Sequence, residues 1–287
     1  MEVSMYKRTI KFKGTPLHLA GRSLAAGSPA PGFTVVAQDM KEMTLHSFDG
    51  KTKLISVFPS LDTPVCDLQV KEFNRAAASL GEDVAVIGIS MDLPFAQRRF
   101  CDENGIKKEV VLSDHAAASF GFNYGLLITE LRLLARAVVI VDKANAVRYL
   151  RIVEEMTTPP DYADALEALR RTLAAPGSAG VSVPARGRPG EAGASRLARE
   201  GVEAWLKEHA GWQLDGDSAI KRSFVFESPS LAQYFLNAVN AAAEEEGHHP
   251  SLTYSYNKVR VMLTTHAAGG LTENDLSLAG IVDTNCL

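Results

Sequence analysis

The sequence predicts two domains of different class: an α/β domain with a central sheet, then a small α+β sandwich with an antiparallel sheet and helices on one face. Three observations predict it. Up to about Leu173, β-branched runs alternate with stretches of helical period, the pattern of a layered sheet with its connecting helices. A Gly, Pro, Ala and Ser-rich stretch with no hydrophobic period follows, and 174–195 reads as a flexible linker. Beyond it the order of elements changes to α-β-α-β-β-α over 196–287. The length agrees, since 287 residues exceed a typical single domain.

In the first domain, 1–173, the strands are expected at 33–38, 53–58, 83–90 and 136–142, where FTVVAQ, KLISVF, DVAVIGIS and RAVVIVD are rich in β-branched residues. Helices are expected over 64–80, where Leu68, Phe73 and the Ala76–Ala78 run suit one face, over PFAQRRFCDENG and over 161–175. In the second domain REGVEAWLKEHAG reads as a helix stopped at Gly211 and KRSFVFES as a strand. Residues 230–247 form a long amphipathic helix ended by Gly247. SLTYSYN and KVRVMLTTH alternate like paired strands, and LTENDLSLAGIVD closes the chain as a helix.

A net charge of −4 gives no electrostatic reason to expect nucleic acid or a membrane surface as partner. No apolar run reaches membrane-spanning length. The N-terminal MEVSMYKRTIKFKG lacks an apolar core segment, so no signal peptide is expected and the cytoplasm is the expected compartment. There, structural disulfides are rare, which turns attention to the chemistry of the three cysteines, Cys66, Cys101 and Cys286. Cys286, next to the C-terminus, reads as a free thiol.

Cys66 ends the stretch PSLDTPVC. Pro64 favours the first turn of a helix, which places Cys66 in that turn. The helix dipole and open backbone N–H groups there favour an anion, and a thiol attacks only as thiolate. Thr63 can set a hydroxyl beside the sulfur, and Pro59 can shield the pocket. A buried cysteine packing at a helix start is the plainer alternative. The surroundings decide between them. Pro59-x-x-x-Thr63-x-x-Cys66 after a strand, with SMDLPFAQRRFC and LLARAVVIVD downstream, closely resembles the thiol peroxidase branch of the peroxiredoxins, from about Lys11 to Leu173.

That resemblance implies a thioredoxin-like fold and the reduction of hydroperoxides. Cys66 matches the peroxidatic cysteine, which becomes a sulfenic acid. Thr63 would bond the thiolate and the peroxide, and Arg136 would hold the thiolate and the developing charge. Cys101 matches the resolving cysteine, giving a Cys66–Cys101 disulfide within one chain, which thioredoxin, the external reductant, would reopen. The segment around Cys101 would have to loosen to allow it, because two helical cysteines on separate elements seldom meet disulfide geometry. Asp67 is unexpected next to Cys66, since its charge works against a thiolate.

A second constellation lies in EEEGHHPSLTYSYNKVRVMLTTH, where His248, His249 and His266 fall within 19 residues. Three uses fit such a group: metal binding, capping of backbone groups, and acid–base catalysis. Neighbours on an extended segment point to opposite faces, which counts against His248 and His249 sharing one ion. The run Glu244, His248, His249, Pro250, Tyr256, His266, Asp275 resembles pterin-4a-carbinolamine dehydratase, from about Leu197 to Asp283. This likeness implies loss of water from a 4a-hydroxytetrahydropterin to give quinonoid dihydropterin, without metal or bound cofactor. His248 and His266 would move protons, and His249, with Pro250, Glu244 and Asp275, would bind and orient the pterin. Thr272-x-x-Asp275 is also a capping box, so Asp275 has two readings: a cap, or a support for His266.

The whole chain thus reads as a bifunctional enzyme that acts on hydroperoxide and pterin substrates and self-associates, both resembled families being oligomeric. The alternative is a peroxide sensor or scaffold whose second domain serves as a dimerisation module.

Overall fold

The computed structural model describes residues 2–3, 8–21, 23–175 and 195–285. Most of the expected linker, 176–194, and Cys286 lie outside the described residues. Chain contacts divide the protein into two units, 6–183 and 1–5 together with 184–287. Among the described residues no helix is long and apolar enough to cross a membrane.

The chain opens on the two-residue strand β1 (Glu2–Val3). The first unit then begins with a hairpin, β2 (Arg8–Phe12) and β3 (Thr15–Ala20). Lys13 and Gly14 turn it with φ of 49° and 82°, the double positive φ that suits the twist of a two-residue hairpin. The remaining elements are β4 (Thr34–Val36), β5 (Glu42–Thr44), β6 (Thr52–Val57), α1 (Pro64–Ala77), β7 (Val84–Ser90), α2 (Pro94–Asn104), β8 (Glu109–Ser113), α3 (Ser119–Asn123), β9 (Leu127–Ile128), β10 (Leu133–Leu134), β11 (Ala137–Val141), β12 (Val147–Ile152) and α4 (Tyr162–Ala174). Every strand and helix expected from the sequence in this unit is present. The hairpin, β5, β8, α3, β9, β10 and β12 are additions that the sequence did not lead us to expect.

The main sheet runs β12-β11-β6-β7-β8-β4-β5. Its centre, β6-β7-β8, is parallel, and β11 and β4 join antiparallel on either side. β6 is buried along its whole length, as expected where helices cover both faces. On one face Leu54 and Ser56 align with Val86 and Gly88, which align in turn with Glu109 and Val111. Helix α1 lies over this row: Gln69 reaches Ser56, and Phe73 packs with Leu54 and Val86. On one side α4 adds Ala165 and Leu169 to that cluster. On the other, Cys101 of α2 packs with Phe58, Val70 and Val111. Pro at the first position starts both α1 and α2, and Gly105, at φ 65°, stops α2.

The second unit holds α5 (Arg199–Glu208), β13 (Gln213–Asp215), β14 (Ala219–Phe226), α6 (Pro229–Glu246), β15 (Ser251–Ser255), β16 (Lys258–Leu263) and α7 (Glu273–Asn285). The order is the expected one, with β13 added. The sheet runs β1-β14-β16-β15, β13 pairing with part of β14. Val259, Val261 and Leu263 are buried while Lys258 and Arg260 are exposed, the alternation of a sheet covered on one face. Phe235 of α6 packs on Phe224 and Phe226 at ring-centroid distances of 4.6 and 5.0 Å. Helix α6 is well punctuated: Ser228 accepts the Leu231 N–H, Pro229 is its first residue and Gly247, at φ 63°, ends it.

Candidate active sites

Cys66 is the third residue of α1 and is fully buried. Thr63, the extended residue before the helix, donates its hydroxyl to Cys66 Sγ at 2.8 Å or to the Ser60 carbonyl at 3.1 Å. That use of the hydroxyl explains why Thr63 makes no side-chain cap. Arg136, the residue before β11, is almost completely buried and donates Nη2 to Sγ at 3.3 Å. Its head is fixed from two more sides. Nη1 donates to Gln69 Oε1 at 2.6 Å, and Nε and Nη2 donate to the Met156 carbonyl at 3.3 and 3.1 Å. Gln69 is anchored in turn to Ser56 Oγ and the Val57 carbonyl. Pro59 is buried. The Cys66 N–H is already taken up by the Thr63 carbonyl at 3.1 Å. The expected open N–H at the sulfur's own residue is therefore closed, and Thr63 and Arg136 are the donors to the sulfur.

Asp67 does not stand alone beside the cysteine. Lys71, one turn on, pairs with it at 2.6 Å and offsets its charge.

Cys101 lies in α2, buried in the same apolar cluster as Cys66, and both thiols are free. Gln38 Nε2 donates to Cys101 Sγ at 3.2 Å, while Arg98 holds the Gln38 carbonyl. Burial pushes the Cys101 thiol up to about 11, and the Gln38 bond opposes that only in part. A packed Cys101 is thus a protonated, inert thiol.

In the second unit His248 is buried, and its Nε2 meets Asp275 Oδ1 at 2.8 Å. Asp275, also fully buried, accepts three more bonds at Oδ2: from Thr265 Oγ1 at 2.8 Å, the Thr272 N–H at 2.8 Å and Thr272 Oγ1 at 3.2 Å. Asp275 therefore caps α7 as the sequence suggested. The histidine it supports directly is His248, not His266; it reaches His266 only through the adjacent Thr265. His249 and His266 are exposed. Glu244 lies 3.9 Å from His249 Nδ1, both side chains being largely in water. Pro250 follows at half burial, and Tyr256 is 74% exposed in the β15–β16 turn at φ 54°. Among the described residues no His, Cys, Asp and Glu side chains gather in threes closely enough to hold a metal ion. Trp212 packs inside, with its Nε1 donating to Asp283 at 3.0 Å.

Three residues at these sites were missed in the sequence. Gln69 stands one turn after Cys66 on the same helix face, a spacing that could have flagged it. Thr265 precedes His266 in TTH, and its neighbour in the motif concealed it. Gln38 comes from a distant loop and leaves no local trace.

Comparison with known proteins matches both halves. The Redoxin family covers residues 25–166, and the family described as pterin 4 alpha carbinolamine dehydratase covers 195–285. The thiol peroxidase of Staphylococcus saprophyticus is 50% identical over 161 residues, which are 56% of this chain and 97% of that protein. A peroxiredoxin-like protein from Aquifex aeolicus is 38% identical, with a TM-score of 0.54 over 58% of this chain and 99% of its own. A transcriptional coactivator/pterin dehydratase from Brucella melitensis is 36% identical, with a TM-score of 0.31 over 32% of this chain and 100% of its own. The chain belongs to the thiol peroxidase family through its first unit, which has the thioredoxin-like peroxiredoxin fold, and its second unit is a pterin-4a-carbinolamine dehydratase domain.

Proposed function

We propose that the first unit reduces hydroperoxides through Cys66, resolves through Cys101 and is recycled by thioredoxin. The observation that carries this reading is the Cys66 sulfur held between the Thr63 hydroxyl at 2.8 Å and the Arg136 guanidinium at 3.3 Å in a buried pocket. Donors of this kind fix the sulfur in place and face the charge that an attacking sulfur carries. The thiolate attacks the terminal peroxide oxygen; the S–O bond forms, the O–O bond breaks, and the alkoxide or hydroxide leaves with a proton. Arg136, pinned by Gln69 and Met156, needs no reorganisation to face that developing charge. The Cys101 thiolate then attacks the Cys66 sulfur, and hydroxide leaves as water. A dithiol reductant restores both thiols by exchange. Thioredoxin fits this step, and the cytoplasm, which keeps thiols reduced, is the compartment we assign.

For the second unit, burial supports a different division of roles from the one the resemblance implies. His248, sealed against Asp275, is a holding residue. His249 and His266 are the exposed imidazoles, and we assign proton transfer at the 4a-hydroxyl and the ring nitrogen to them, with Glu244, Pro250 and Asp275 shaping the site. No bound cofactor is required for either reaction, and self-association is expected for both units.

Two assays test the scheme. NADPH consumption with thioredoxin, its reductase and peroxide should be abolished by Cys66→Ser and by Cys101→Ser; full turnover in Cys101→Ser would remove the resolving role. Dehydration of a 4a-hydroxypterin should fall at least tenfold in His249→Ala and His266→Ala. Unchanged rates in both variants would return catalysis to His248.

A further inference from the structure

The first unit buries a carboxyl group that the proposed chemistry does not use. Glu109 opens β8 on the face covered by α1 and α2, two residues before Val111 of the cluster that holds Cys66 and Cys101. It is buried, and neither carboxyl oxygen has a hydrogen-bond partner among the described residues. Gly88 on β7 makes room for it: a Cβ there would lie 2.6 Å from Glu109 Oε1 and 3.2 Å from the Phe58 ring. Burial alone holds its pKa well above the usual carboxylate range, so packing favours the neutral acid.

The surrounding elements offer it no countercharge. β7 carries no ionisable side chain. On α1, Cys66 lies in the cluster, Asp67 pairs with Lys71, and Glu72 pairs with Arg75. On α2, Cys101 lies in the cluster, while Arg98, Arg99, Asp102 and Glu103 are exposed, as are Lys107 and Lys108 before β8. Glu109 is among the groups near enough to Cys101 to act on it electrostatically.

Cys101 cannot act from this packed state. Its thiol is buried within a helix and bonded to Gln38, while the Cys66 sulfur has its own partners, Thr63 and Arg136. Disulfide formation and reduction by another protein both require this segment to open. We propose that Glu109 drives that opening: a partnerless buried acid weakens the packing of α2 over β8, and it ionises into water when the segment opens. The closed state then holds one proton more than the open state. The opening constant rises about tenfold per pH unit, from about 4.3 up to the raised value of the closed state. Opening, and with it the resolving step, is favoured as pH rises. This rests on Cys101 being the resolving cysteine.

The test is alkylation of Cys101 by excess iodoacetamide in the full chain carrying Cys66→Ser and Cys286→Ser, from pH 5.5 to 8. Where reclosing outpaces labelling, the rate is the opening constant times the thiolate fraction. With Glu109 the rate should climb by up to about a hundredfold per pH unit at the acid end, one decade from the thiol and one from the carboxyl, easing towards tenfold once the closed state itself ionises; with Glu109→Gln it should climb about tenfold throughout. Equal slopes overturn the proposal. Glu109→Val, which removes the polar group, should slow labelling at pH 7 by about tenfold or more; an unchanged rate overturns it too. The Cys101 peptide of the reduced wild-type chain, quantified by mass, gives the same slope should Cys66→Ser disturb packing. The labelling needs no peroxide, so it fails or succeeds independently of the Cys101→Ser turnover assay that tests the resolving role.

Discussion

Replacing Asp275 with alanine removes four bonds from one buried carboxylate: one to His248, two to Thr272 and one to Thr265. The loss can be worked from the geometry. The bond to the Thr272 N–H is a helix cap, and such caps contribute about 1 kcal/mol. The Thr265 and Thr272 hydroxyls also bond one another at 2.8 Å, so one of the two hydroxyl hydrogens keeps an acceptor. The other, and the His248 Nε2 group, each lose the acceptor they have now. A buried donor deprived of its acceptor costs about 1–3 kcal/mol. The sum is about 3–7 kcal/mol, a large part of the stability of a domain this size. At about 4–8 °C per kcal/mol, the melting temperature of the second unit should fall by at least about 12 °C. Asp275→Asn keeps a carbonyl for Thr265 and Thr272, and its amide can donate to His248 in the other tautomer, so it should cost about half as much. Calorimetry on the full chain is the assay, with one transition expected for each unit. A shift under about 4 °C for Asp275→Ala, or an equal shift in the first unit's transition, would refute the reasoning.

Three further outcomes are expected. Gln69→Ala removes the 2.6 Å partner of Arg136 Nη1 and should lower kcat/KM for peroxide by about tenfold, some 1.4 kcal/mol of transition-state stabilisation, in stopped-flow oxidation. Gly88→Ala sets a methyl 2.6 Å from Glu109 Oε1 and should destabilise the first unit by about 1–3 kcal/mol in urea, with partial recovery in the double variant carrying Glu109→Ala. Asp114 is buried with its carboxyl pushed up to about 7, chiefly by burial. Its folded pKa exceeds the unfolded one, so the folded state holds the extra proton and stability falls as pH rises from about 4 to about 7, by roughly 4 kcal/mol at most. Urea midpoints of the first unit at pH 5 and pH 7.5 should show that fall; a rise would contradict the sign.

What the sequence revealed and what it hid divide along a physical line. Candidate site residues sit in short local motifs, so Cys66, Thr63, His248, His249 and His266 were legible as candidates, though proton transfer was expected of His248 rather than His249, and helices begun by Pro64, Pro94 and Pro229 and ended by Gly105 and Gly247 were legible too. Strand β8 was hidden because Glu109 and Lys108 break the apolar run that marks a buried strand. Strand β12 was hidden by the alternating charges of VRYLRI, and the β2–β3 hairpin by its basic residues. Burial was the least legible property. His248 and His249 are adjacent and chemically identical, yet one is sealed against Asp275 and the other stands in water.

The same division explains how each site is built. In the first unit an exposed-type residue, glutamine, is buried to pin Arg136; in the second a carboxylate is buried to pin His248 and Thr265. Each buried polar group is fully bonded, so it adds rigidity at the spot where orientation matters. Glu109 is the contrasting case. It is buried without a hydrogen bond among the described residues, and it lies in the strand beneath the segment that the proposed resolving step requires to open. A polar group that is satisfied holds its neighbours in place, and one left unsatisfied makes them ready to leave. The alkylation slopes of Glu109 and Glu109→Gln chains separate these two uses of burial within a single domain.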